Sequence, residues 1–468
     1  MFVFANRARC SAHVALVLAV FSVAQGACGS TAPSPSAGDT PVPSLDAGPT
    51  GAPGEGGASS EGGVVDASPA PPGPTASVTV TSSTGPMAGI DVYFHDVDGN
   101  VLETKKTGVD GKATRVLSGP GLDSVTVVMN PPGMANPGRL FTVMALDAGD
   151  DIHIPYPEAQ TYAVVKPTLT NLVGANGYQD FAGGCTAGSG FNVIPDMELY
   201  EACRDQAKFP LLVVASGGQL STPMAFTFLR GLSFTNQTRY EPAMPAWSTA
   251  LGSTNIKISN MSMNSAGPQI ALAHAADGVL TYLQEKDVYA TSEATFTTYP
   301  DFADALQAEA GVRDGGSSFR SIAQRDGTKP AHVTFDLAQL LPVVSVPQLS
   351  GAPPALSLAW SAASASPDVV AIMARITFRC DWSIVAPPSM TKLTGPNISG
   401  STSVCFGDST PVKALVATLA ATALPDYSAA RAHAAKLVPL HADSARSVGL
   451  LPALPIDGLY RYSLNATF

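Results

Sequence analysis

The chain has 468 residues, enough for about three domains of ordinary size. Only 13% of residues are charged, and 26 Lys plus Arg against 37 Asp plus Glu leave a net charge of −11. A nucleic-acid-binding protein carries a basic patch or stripe, so this balance argues against one. With 45% hydrophobic residues, the chain as a whole has enough apolar surface to fold.

The first 28 residues read as an export signal. Arg7 and Arg9 form a positive start, Val14–Val23 is an uncharged apolar run, and small residues lead to Cys28. The run is a secretory core rather than a membrane span, which needs about 20 residues. The stretch Gly26-Ala27-Cys28-Gly29-Ser30 resembles the lipobox of bacterial lipoproteins, whose Cys becomes the lipidated first residue. Gln25 stands where that family has Leu or Val. The alternative is ordinary cleavage after Ala24 or Gly26, leaving a free thiol at Cys28. The resemblance implies a chain exported to the cell envelope and held to the outer membrane by lipid.

Residues 28–75 form a Pro-, Gly-, Ser- and Ala-rich linker whose charges, Asp39, Asp46, Glu55, Glu61 and Asp66, are all acidic. Such a segment buries too little surface to offset its conformational entropy and is expected to be disordered. As a coil of about 47 residues it spans roughly 35–40 Å, which suits a stalk.

From about Ala76 the pattern changes to period two. Ser77–Thr81, Gly89–Phe94 and Asp123–Val128 are rich in β-branched residues, with Asp98-Gly99-Asn100 and Asp110-Gly111-Lys112 as turns. The Gly-Pro-Met-Ala-Gly-Ile-Asp-Val opening (85–92), Asp-x-Asp-Gly (96–99) and Thr-Gly-Val-Asp-Gly-Lys-Ala (107–113) resemble bacterial Ig-like and carboxypeptidase-regulatory-like modules. The resemblance covers residues 76–155 and implies a β-sandwich used as a spacer or binding module.

Residues 156–468 continue with short strand-like runs, among them Phe209–Ala215, Met224–Leu229, Val288–Thr291, Val369–Phe378 and Val412–Leu419. The fold class expected is all-β, as tandem Ig-like or related antiparallel sandwiches with few short helices. Asp301 at the head of Tyr299–Ala310 predicts one helix carrying Phe302, Leu306 and Ala310. Ala429–Leu437 suits a helix or a strand. Trp247-Ser248 with Lys257-Ile258-Ser259 is echoed by Trp382-Ser383 with Lys392-Leu393-Thr394, a possible repeat at about 135 residues. The polar stretch Gly315–Pro330 marks a boundary between β-rich domains 156–320 and 321–468.

Cys10 leaves with the signal, and Cys185, Cys203, Cys380 and Cys405 remain as an even set suited to disulfides in an oxidising compartment. Of three connectivities, the local pairs Cys185–Cys203 and Cys380–Cys405 are favoured; each closes a loop of about 20 residues, worth about 3 kcal/mol. The spacings do not suit a metal site.

Catalytic motifs are scarce. Phe406-Gly407-Asp408-Ser409 resembles the nucleophile block of GDS-type esterases, but no Asp-x-x-His follows it. Neither Gly-x-Ser-x-Gly nor a His-Glu-x-x-His pair occurs. The expectation is no enzyme activity and no cofactor. Asp96, Asp98 and Asn100 on one turn, with Asp147, Asp150 and Asp151 in a later loop, are candidate oxygen ligands for Ca²⁺. The competing reading gives these Asp residues backbone hydrogen bonds in turns. Trp247, Trp360 and Trp382 sit in strand-like runs, which suits core packing better than sugar stacking. The function expected is a cell-envelope lipoprotein with a non-catalytic structural or interaction role; the alternatives are a carbohydrate-binding or adhesive protein and, third, a secreted hydrolase. Its partners would be the membrane through the lipid and a glycan or a protein.

Overall fold

A computed structural model describes residues 73–82, 85–129, 138–156, 163–169, 178–182, 187–191, 196–199, 208–217, 222–233, 238–261, 266–288, 292–313, 318–350, 356–361, 367–377, 380–398, 413–437 and 456–467. All of them lie in one compact unit, Ala70–Phe468. The all-β expectation holds. Among the described residues, helix is confined to Tyr427–Arg431, Ala434–Leu437 and a 3₁₀ turn at Leu337–Gln339.

Twelve strands make one long sheet. Their order is Val279–Asp287, Ala266–Ala276, Ala305–Arg313, Ser318–Asp326, Gly458–Thr467, Lys413–Ala421, Val369–Thr377, Cys380–Ala386, Gly138–Val143, Ser124–Met129, Asp91–His95 and Val101–Lys106. Neighbours pair antiparallel except Cys380–Ala386 and Gly138–Val143, which run parallel. Strands from all three sequence segments, 76–155, 156–320 and 321–468, share this sheet. The strand Ser318–Asp326 spans the position where the sequence suggests a boundary, and it is paired on both sides.

Both faces of the sheet's inner strands are buried, and strand periodicity sorts the side chains between them. In Val369–Thr377, Val369, Ala371 and Met373 enter one core while Val370, Ile372 and Ala374 enter another. Val127 and Val128, Val143 and Met144, and Val385 and Ile384 divide in the same way. Two-sided burial therefore accounts for uninterrupted apolar runs such as Val-Val-Ala-Ile-Met-Ala.

Small sheets cover the long one. Thr75–Ser82, with Gly85–Pro86, Lys112–Val116 and Asp151–Pro155, supplies Val78, Val80, Ile152 and Ile154 to the first core. Gln348–Ser350, Ser357–Ala359 and Lys392–Thr394 pack Leu358 and Leu393 over Trp382 and Ile384 in the second. Gly252–Ser259, Glu293–Thr298 and His332–Asp336 pack Ile256, Phe296 and Phe335 against Ile270, Leu306 and Ala310. The strand Lys208–Ser216 is again two-sided: Leu212 and Val214 join that third core, and Leu211 and Val213 face Ala163, Val165 and Met244.

One expectation is overturned. Tyr299–Ala310 is a turn followed by the strand Ala305–Arg313, not a helix. Phe302, Leu306 and Ala310 do share a face, but Ala308 and Val312 join them in the same core, so the period is two. Spacings of four fit both periods, and pairing on both edges decides for strand. Asp301 sits in the turn at φ 63°. Ala429–Leu437 resolves as helix, with Asp426 accepting a hydrogen bond from Ala429 N as its cap. Val288 lies just past its strand, which ends at Asp287. The suggested repeat matches in part: Lys257 and Lys392 both lie in covering strands, whereas Trp382 is in the long sheet and Trp247 is outside any strand.

Candidate functional site

A buried polar constellation lies at the parallel seam of the long sheet, where Gly138–Val143 meets Cys380–Ala386. Four buried side chains on adjacent strands join across it. Trp382 Nε1 donates to Thr142 Oγ1 at 2.9 Å, and the Thr142 and Thr126 hydroxyls are 2.7 Å apart. Thr126 Oγ1 is 2.9 Å from His95 Nε2, and His95 Nδ1 is 2.7 Å from the Asp96 carbonyl oxygen. The two threonines alternate with Val125, Val127, Phe141 and Val143, which point into the opposite core. Burial pushes the His95 imidazole below its ordinary range, although the Asp96 carbonyl and the charges of Asp96 and Asp123 act in the other direction.

The loops at this end complete the site. Asp96 closes a turn: one carboxylate oxygen accepts from Asp98 N and Asn100 N, each at 2.9 Å, and the other from Asn100 Nδ2 at 2.8 Å. Burial raises its pKa, yet the bonds from Asn100 and Asp98 outweigh this and hold Asp96 below the usual carboxylate range. Gly99, at φ +83°, sits so close to the Gly395 carbonyl that an added Cβ would lie 2.5 Å from that oxygen. Thr394 N donates to Val97 O at 3.1 Å, so the turn is docked onto the covering strand.

The later acidic loop is gripped by a helix. Arg431, 2% exposed, places Nη2 at 2.7 Å from Asp147 Oδ2 and Nε at 3.1 Å from Asp150 Oδ2, and also donates to the Ala145 carbonyl. Its guanidinium lies over the Tyr427 ring, 5.0 Å from the centroid. The Tyr427 hydroxyl is 2.8 Å from Met144 O and 3.0 Å from Val385 O, one carbonyl from each side of the seam. Burial raises the Tyr427 pKa strongly, so its proton stays in place to donate. Asp151 faces elsewhere and accepts from Ser77, Thr79 and Lys112.

The structure thus gives Asp96 and Asp150 partners within the protein, and among the described residues no group of three or more His, Cys, Asp or Glu is placed to hold a metal ion. Cys28, Cys185, Cys203, Cys405 and Ser409 lie outside the described residues, and Cys380 begins its strand opposite Gly138. Arg431, Tyr427, Thr126 and Thr142 were not legible as site residues. A lone Arg in a short Ala-rich stretch and Thr in an alternating strand carry no motif.

No family model matches the chain, and no curated protein matches it by sequence. Solved structures with local similarity include the TIE protein of Bacillus anthracis, at 10% identity over 56% of this chain and 50% of that one, with a TM-score of 0.16. The chain therefore spans about half the length of that protein. The shaft pilin SpaA of Lactobacillus rhamnosus GG matches at 8% identity over 37% of this chain and 98% of its own, TM-score 0.15. A tetra-tandem repeat from the extending region of a large adhesion protein matches at 12% identity over 74% and 95%, TM-score 0.12. Scores this low do not establish a shared fold, and the functional reading rests on the residues.

Proposed function

We propose that the chain is an exported envelope protein, fastened by lipid on Cys28, whose β body has a non-catalytic structural or interaction role. The observation carrying this is the union of an export-type start and acidic linker with a body whose polar groups are spent on holding strands together. His95, Trp382 and Arg431, the residue types that elsewhere do chemistry or bind ligands, are all buried in bonds to strands or loops at or beside the parallel seam. Disulfides among Cys185, Cys203, Cys380 and Cys405 belong to the same proposal and suit an oxidising compartment. Intact mass of membrane-extracted protein tests the anchor: a diacyl or triacyl increment on Cys28 is expected, and an unmodified N-terminus downstream of Ala24 would overturn it.

An adhesive role is the second reading. Among the described residues, five of the large hydrophobics with the greatest exposure fall within one segment: Val101, Leu102, Val109, Val116 and Leu122. Val109 is 93% exposed at a turn tip. Binding of the full chain carrying Cys28→Ala to a glycan panel, to cell-wall material and to envelope proteins, with and without Ca²⁺, separates the readings. Saturable binding lost on Val109→Ser and Leu122→Ser supports adhesion, and no binding to any probe favours a structural role.

A further inference from the structure

The four-residue chain across the seam has a fixed direction. A carbonyl oxygen only accepts, so His95 Nδ1 must carry the proton that reaches Asp96 O. Neutral His95 then has a bare Nε2, which accepts from the Thr126 hydroxyl. Thr126 oxygen in turn accepts from the Thr142 hydroxyl, and Thr142 oxygen accepts from the Trp382 indole, which only donates. Every proton is committed, from Trp382 through Thr142 and Thr126 to His95 and the backbone.

We propose that this chain is an acid-sensitive joint, in which one proton on His95 Nε2 reverses the hydrogen-bond order across the seam and loosens residues 91–143 from residues 369–421. A protonated Nε2 must donate to Thr126, whose hydroxyl must then turn to Thr142. Thr142 oxygen already receives the Trp382 N–H, and its own proton is left without the acceptor it had. The reversed chain keeps its contacts but leaves one buried hydroxyl donor unsatisfied beside a buried positive charge, and both are costly.

The charged groups around His95 are few. Asp96 and Asp98 lie in the loop leaving its strand, and Asp123, fully buried, precedes the neighbouring strand with Arg115 Nε at 3.0 Å. Glu103 lies on the other neighbouring strand, opposite Phe94, and pairs with Arg115 at 3.2 Å. The covering strand brings Thr394 and Gly395 against the loop. Because the folded imidazole is held below its unfolded value, the unfolded chain takes up the proton first. Stability is full above the unfolded value of about 6.5 and falls as pH drops from there towards the folded value.

Full-length protein with ¹⁵N-labelled His and Trp provides the test, followed from about pH 8 to about pH 4.5. His95 should hold the Nδ1–H form at neutral pH and resist protonation below about pH 6.5, with the Trp382 indole resonance shifting in step when the proton arrives. Thr126→Val should uncouple the two signals and Thr126→Ser should retain the coupling. His95→Gln should remove a pH-dependent fall in the folding equilibrium constant of up to about tenfold per pH unit in that window. Where Thr126→Val fails to fold, Trp382→Phe with the His95 titration alone replaces it, and a shift in that titration supports the joint. His95 titrating like an exposed imidazole, an Nε2–H form at neutral pH, or a Trp382 resonance indifferent to His95 would each overturn the proposal.

Discussion

The two principal seams of the long sheet are built differently. The far seam joins Ser318–Arg325 to Gly458–Asn465 by eight antiparallel residue pairs. The near seam joins Gly138–Val143 to Cys380–Val385 by six pairs in parallel, a geometry slightly less stable per residue. Side chains reinforce the near one: Trp382 reaches Thr142, Tyr427 faces carbonyls of both strands, and Arg431 grips the loop beyond. Strands about 240 positions apart in the chain, paired over a short parallel register, are tied by polar side chains within the register itself, whereas the longer antiparallel seam has its ion pair at the strand ends, with Arg325 Nε 3.4 Å from Asp457 Oδ1.

Removing Arg431 should break this asymmetry most severely. Arg431→Met keeps the volume but leaves Asp150, 11% exposed, without its cation. Loss of one partner of a buried pair costs about 3–5 kcal/mol, and because Asp147 keeps water contact about 3 kcal/mol is expected here. Denaturant unfolding checks the magnitude, and hydrogen exchange should show the near seam opening while Ser318–Asp326 stays protected.

Two glycines give a matched pair of tests, one in the hairpin turn that docks on Gly395 and one on the strand Ala305–Arg313, which flanks the far seam. A Cβ on Gly99 would lie 2.5 Å from the Gly395 carbonyl, and its φ of +83° disfavours any side chain. Gly99→Ala should cost about 2–3 kcal/mol by forcing the turn off the covering strand. In the far region a Cβ on Gly311 would run into the Phe319 ring, which lies across it. A ring yields more readily than a backbone carbonyl, so Gly311→Ala should cost about 1–2 kcal/mol. Thermal unfolding of both variants ranks the two, and equal losses would show that the Phe319 ring resists a Cβ as firmly as the Gly395 carbonyl does.

Trp382→Phe comes next. It preserves most of the ring but strips Thr142 of its donor, and one unsatisfied buried acceptor costs about 1–3 kcal/mol. Thr142→Val with Trp382→Phe replaces both polar partners by apolar ones and should recover part of the loss. A double-mutant cycle measured by denaturant unfolding reads the coupling directly.

The strands were legible because β-branched runs and Gly turns are local signals. Asp98-Gly99-Asn100 closes the hairpin it suggested, and the runs beginning at Val369 and Val412 became strands. Which strands are neighbours was not legible, since Gly138–Val143 finds Cys380–Ala386 through tertiary packing alone. The helix expected from Asp301 failed because an interval of four residues fits a strand face as well as a helix face. The acidic loops were legible as charge, but not their partner: nothing near Arg431 in sequence points to Asp147 and Asp150, about 280 residues away.

The smallest effect separates the two readings of the Asp96 turn. Its carboxylate accepts three short bonds from Asp98 and Asn100, which alone account for a carboxylate at this position. Asp96→Asn keeps an oxygen for the backbone donors but removes the charge and the oxygen that accepts from Asn100 Nδ2, so turn chemistry predicts a loss of about 0.5–1 kcal/mol, the same with and without Ca²⁺. A calcium site formed with Asp98 and Asn100 predicts instead a Ca²⁺-dependent rise in melting temperature that Asp96→Asn abolishes. Acid gives a third reading of the same group. Because Asp96 is held below its ordinary value, its contribution is present above the unfolded carboxylate range and lost as pH falls through the folded value. That loss should vanish in Asp96→Asn while the fall assigned to His95, at higher pH, remains. The two titrations would then place the turn and the buried chain on separate steps of one seam's response to acid.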